Sequence, residues 1–111
     1  MVEYDVARRV PRYAFVVDAT ITDIQHGIDI KARTSTLGLF GCGIATSKPL
    51  IQGTGVRVRM SYRSAEVKAI GIVAYVRQNL DMGIAFTDID KESERILALW
   101  IRELIRNPPG K

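Results

Sequence analysis

Apolar residues recur at every second position through most of residues 13–87, interrupted at short intervals by glycine and polar turns. Such alternation marks strands that face a core on one side and water on the other. In VVDATITDI, Val17, Ala19 and Ile21 alternate with Asp18, Thr20 and Thr22. The turn QHGID, carried by Gly27, follows, and IDIKARTS returns as the hairpin partner. After the glycine-rich TLGLFGCGIAT and the loop KPLIQGTG comes VRVRMSY. There Val56, Val58, Met60 and Tyr62 share one face, and Arg57, Arg59 and Ser61 the other. YRSAE turns the chain into VKAIGIVAYV, and MGIAFTDI, beyond RQNLD, is the last run. About six strands on short loops predict a closed or nearly closed antiparallel barrel.

The ending has a different period. In DKESERILALWIRELIR, Ile96, Leu97, Trp100, Ile101, Leu104 and Ile105 recur at spacings of three and four, a single apolar stripe. Asp90 is the expected N-cap, Glu92 and Glu94 fall in the first turn, and Arg102 and Arg106 lie near the other end. All three placements suit the helix dipole. Pro108 and Pro109 stop the helix. The fold class is therefore all-β with a C-terminal helix, whose stripe, Trp100 included, docks on an open end or side of the barrel. The expected organisation is an arginine-bearing arm over 1–12, one barrel-and-helix unit over 13–107, and a tail over 108–111.

Composition narrows the chemistry. The 111 residues suffice for one domain with its own core. The single cysteine, Cys42, rules out an internal disulfide and a cysteine-rich zinc site. Cys42, in a strand beside glycines, reads as a small buried residue. The single histidine, His26, sits in a turn and reads as an exposed loop residue. Asp18, Asp23 and Asp29 are scattered at no metal-ligand spacing, and no catalytic constellation is visible, so the chain reads as a non-enzyme. No run nears the roughly 18 apolar residues of a membrane span, and no signal peptide is evident. A cytoplasmic location is expected. The net charge of +4 permits an anionic partner without demanding one.

That charge gathers in two places. Arg57, Arg59 and Arg63, with Lys68 following, would form a basic stripe if the strand persists to Arg63. It reads as a solvated sheet face, an extension of an anion site, or a nucleic-acid surface. A single-stranded nucleic acid would need aromatic rings among the charges, and Tyr62 falls on the opposite face. In ARRVPRY, Arg8, Arg9 and Arg12 stand within five positions just before the first strand. This is either a solvated arm or a clamp for something anionic. Guanidinium can pair with phosphate oxygens in a fork, bind the O6/N7 edge of guanine, or stack on a base.

The arginine arm, the order of strands and the closing helix together resemble a PilZ domain over roughly residues 7–106. Family members carry RxxxR before the first strand and (Asp/Asn)xSerxxGly after the second, and these motifs bind cyclic di-GMP. The resemblance implies a six-stranded antiparallel barrel. It also implies a non-enzymatic cyclic di-GMP receptor that relays the second messenger to a protein partner. Arg8 and Arg12 stand at the spacing of the first motif, with Arg9 between them. The second motif fits in two registers. One, Arg33 to Gly38, keeps Ser35 and Gly38 but puts Arg33 in the acid's place. The other, Thr36 to Gly41, keeps only its last glycine. The second is preferred, because Gly41 then leads straight into a strand, Cys42 to Thr46. The implied ligand residues are Arg8, Arg9, Arg12, Thr36, Gly38 and Gly41. Thr36 then stands for Asp or Asn and Gly38 for Ser, while the glycines also suit turn geometry and close backbone approach. The alternative is a PilZ-like interaction module that has lost the ligand.

Overall fold

The computed structural model describes residues 11–107. Arg8, Arg9, most of the expected arm and the tail from Pro108 lie outside the described residues. Seven strands precede one helix: β1 (Tyr13–Ala14), β2 (Asp18–Asp23), β3 (Ile28–Gly38), β4 (Gly41–Ala45), β5 (Gly55–Tyr62), β6 (Ala65–Arg77), β7 (Asp81–Ile89) and α1 (Lys91–Arg106). All pairings are antiparallel. From β3 the sheet runs through β2, β5, β6, β7 and β4, and the β3–β4 pairing closes it. The expected six-stranded barrel is therefore present, with a two-residue strand, β1, added to it.

The extra strand has a local cause. β1 and β2 both pair with β3, at Thr36–Leu37 and at Ile28–Arg33 respectively, and so lie in one lane. Between them two backbone bonds remain, Phe15 N–H to the Ser35 carbonyl and Thr34 N–H to the Val17 carbonyl, and the groups left over are served by the buried Thr34 hydroxyl. It donates to the Phe15 carbonyl at 2.5 Å and accepts from the Val17 N–H at 3.0 Å. The lane is interrupted, but its buried backbone groups are satisfied.

The alternation of the sequence becomes the core. Val17, Ala19, Ile21, Val56, Val58, Met60, Val67, Val73, Met82 and Ile84 point inward and are buried. Cys42 is buried too, and burial pushes its thiol up to about 12, against a smaller downward pull from Arg12.

The helix lies on β6 and β1. Asp90 caps it as expected, accepting from the Ser93 N–H at 2.7 Å. Leu97, Trp100, Ile101 and Leu104 are buried. Trp100 closes one barrel end in a cluster with Phe15 and Tyr62, ring centroids 5.1–5.8 Å apart. Ile105 departs from the expected stripe and is 58% exposed. It lies one residue, about 100°, round from Leu104, past the edge of the contact.

The basic stripe is shorter than the sequence suggests. β5 ends at Tyr62, and Arg63 and Ser64 form a two-residue turn with φ of 51° and 65°. Both left-handed residues match a twisted hairpin. The turn takes Arg63 off the strand, over the Tyr62 ring and against Glu103 at 3.2 Å.

Candidate functional site

Four of the six expected ligand residues, Arg12, Thr36, Gly38 and Gly41, are described, and they lie on one patch of the outer wall. The turn of the β3–β4 hairpin is Leu39–Phe40, so Gly38 pairs with Gly41, and Gly41 is the first residue of β4. The preferred register requires this placement of Gly41. Arg12 lies across the pair. A Cβ on Gly38 would stand 3.0 Å from the Pro11 carbonyl oxygen and 3.3 Å from Arg12 Cγ. One on Gly41 would stand 2.9 Å from Arg12 Nη2 and would collide with the Ile84 carbonyl. Gly41 is thus required by the backbone of β7, whatever else it does.

Thr36 does not stand alone. The β3–β4 register slips between Thr34 and Thr36, a bulge at Ser35. The bulge turns two consecutive hydroxyls toward the same neighbour. A Cβ on Gly43 would lie 2.7 Å from Ser35 Oγ and 2.8 Å from Thr36 Oγ1. Gly43 pairs with Gly83 of β7, and the Tyr75 ring fills the space where a Gly83 side chain would be. The patch is therefore a floor of four glycines, 38, 41, 43 and 83. It is covered at one end by Arg12, in the middle by two hydroxyls, and at the far end by a phenol ring. Leu39 and Phe40 stand exposed at its rim.

Ser35 and Tyr75 are the residues that the preferred register leaves out. A signal for Ser35 exists in the sequence. Inward positions on β3 run 30, 32, 34 and then 37, and the odd step marks the bulge. Arg33 is exposed and pairs with Asp18 of β2 at 3.6 Å. Among the described residues no group of His, Cys, Asp or Glu could hold a metal ion. No described helix is long and apolar enough to cross a membrane. His26 is exposed and its Nδ1 lies 2.9 Å from Asp23 Oδ2, an acid that this contact and two backbone N–H groups hold below its usual range.

The PilZ domain family matches residues 7–103 of the sequence. The chain belongs to the PilZ family. Solved PilZ structures share its fold. The PilZ domain of YcgR from Escherichia coli, solved with c-di-GMP, is 17% identical with a TM-score of 0.73, over 89% of this chain and 92% of that one. The PilZ domain of CeSA from a cellulose-synthesizing bacterium is 16% identical with a TM-score of 0.67, over 86% and 98%. The Bacillus subtilis inhibitor of motility, MotI/DgrA, is 13% identical with a TM-score of 0.74. This PilZ chain is covered over 90% of its length in that match but spans only 52% of MotI/DgrA. No curated protein matches the sequence.

Proposed function

We propose that this PilZ domain is a non-catalytic receptor for cyclic di-GMP that relays the ligand's presence to a protein partner. The reading rests on one observation above all: the Arg12 guanidinium lies over the Gly38–Gly41 pair, and the Ser35 and Thr36 hydroxyls lie over Gly43, two residues further along β4. Arg8 and Arg9, just ahead in the sequence, supply two further guanidinium groups for the ligand's two phosphates and guanine edges. Thr36 offers guanine one hydroxyl, and Gly38 offers no side chain. Two hydrogen bonds fewer than a complete motif correspond to affinity lower by roughly 10²- to 10³-fold. On this reading Ser35, whose hydroxyl lies over Gly43 next to that of Thr36, offsets part of that loss. YcgR's PilZ domain, solved with c-di-GMP, supports the ligand class. Cytoplasmic residence follows from the same reading, since the messenger is made inside the cell.

A second reading is a PilZ interaction module that has lost the ligand. It is favoured by the space above Gly38, which the Pro11 carbonyl and the Arg12 stem occupy where a motif serine would stand.

Titration calorimetry with cyclic di-GMP, on the native chain and on Arg8→Ala and Arg12→Ala at one salt concentration, decides between them. Micromolar or tighter binding, lost in both variants, is the expected result. No binding up to high micromolar ligand overturns the receptor reading. Binding that appears only in a Thr36→Asp, Gly38→Ser double variant establishes the second.

A further inference from the structure

A different part of the wall carries charge that the ligand patch does not use. Thr20 on β2 pairs with Lys31 on β3 and with Arg59 on β5, and Arg59 pairs with Lys68 on β6. The neighbours of Thr20, Arg59 and Lys68 along their strands point into the core, so these side chains point outward. Lys31 is likewise exposed. Lys31, Thr20, Arg59 and Lys68 thus form one row across four strands. At about 4.8 Å per strand the row spans about 14 Å. Like charges on paired strands destabilise a sheet. Among the described residues none of these three cations has an acid within ion-pair distance. The fold does not require the arrangement.

Between Lys31 and Arg59 runs a groove of about 480 Å³ over β2, floored by Thr20 and bounded at one end by Asp18, Ser61 and Glu66. No exposed large apolar side chain lines it. A protein partner draws its affinity from apolar and aromatic anchors, and this groove has nowhere to seat them. Single-stranded nucleic acid needs stacking rings. The nearest ring in sequence, Tyr62, is committed to Phe15 and Trp100. A duplex phosphate backbone needs neither. It takes lysine, arginine and threonine hydroxyl contacts, without reading bases. The row's three cations can each meet one phosphate of such a backbone.

We propose that this row is a binding face for the phosphodiester backbone of duplex nucleic acid, independent of sequence. It is separate from the Arg12 patch, since Thr36 lies five residues, about 17 Å, beyond Lys31 along β3.

The test is fluorescence anisotropy of a labelled DNA duplex of arbitrary sequence with the full chain, between about 50 and 200 mM salt. Three phosphate contacts predict a log–log slope of about −2.7, an affinity loss of about 40-fold over that range. Lys31→Thr and Arg59→Thr should each reduce the slope by about 0.9, and Arg12→Ala should leave it unchanged. Circular dichroism melts check that each variant is folded. Cyclic di-GMP titrations of the row variants should match the native chain, so failure here and failure of the receptor reading are separable. A slope unchanged in the row variants overturns the proposal. Equal affinity for polyglutamate, or tighter binding to a single strand of the same length, does so as well.

Discussion

Thr34 is a polar residue at a core position, and it holds the first lane of the barrel together. Thr34→Val keeps the volume but strands the Val17 N–H and the Phe15 carbonyl in a buried site. The expected cost is about 2–4 kcal/mol in urea unfolding. Thr34→Ser retains the hydroxyl and should cost about 1 kcal/mol for the lost methyl. The sequence placed Thr34 in a strand but could not show its partners, because the two backbone groups it serves lie 17 and 19 residues away. Gly41 was legible in part. Its position at the start of a strand could be read, whereas its collision with the Ile84 carbonyl depends on how closely β7 approaches. Ser35 was obscured by its bulge, since motif spacing counts residues and a bulge changes which face each residue meets.

At the scale of elements, strands and helix were legible because their periods differ, two against three to four. The short loops between strands then left few topologies to consider. The joint between helix and barrel was not legible. Near the end of β7, the Lys68 N–H of β6 donates to the buried Ser93 Oγ at 2.9 Å. Asp90 in turn holds Ser93 through its N–H. The helix thus satisfies a sheet donor with a side chain from its first turn. Asp90→Ala should cost about 1 kcal/mol, as an ordinary lost cap. Ser93→Ala should cost about 1–3 kcal/mol, since it leaves a partly buried donor unpaired. Amide exchange separates the two: protection at Lys68 should fall more in Ser93→Ala than in Asp90→Ala.

Across the whole molecule the two barrel ends are held by different forces. One end has Phe15, Tyr62 and Trp100 under the helix. The register puts the turns at Asp23 and Asp81 toward the opposite end, since Asp23 pairs with Val56 and Asp81 with Arg77, far along β5 and β6 from Tyr62 and Ala65. Hydrogen bonds from His26 lower the Asp23 carboxyl, and those from Arg77, at 2.8 and 2.5 Å, lower Asp81. Each carboxyl therefore binds its proton more weakly folded than unfolded. The stability it contributes is present above about pH 4 and is lost as pH falls through the lower folded value. Amide protection measured at about pH 6 and about pH 3 should fall first around residues 23–28 and 77–81, while amides near Phe15 and Tyr62 hold. Asp81→Asn should remove that acid response at its own turn.

The closing contact between β3 and β4 also decides how another protein can approach. Many signalling domains recruit an extended peptide by letting it join an open sheet as one more strand. Here the six barrel strands already have both neighbours, and β1 sits in the lane that β2 continues. Among the described residues, only the two-residue β1 has a strand neighbour on one side alone, so no whole barrel strand is left free for such pairing. A protein that docks on the closed wall meets side chains, hairpin tips and the helix, not a free strand, and docking there requires no strand to move.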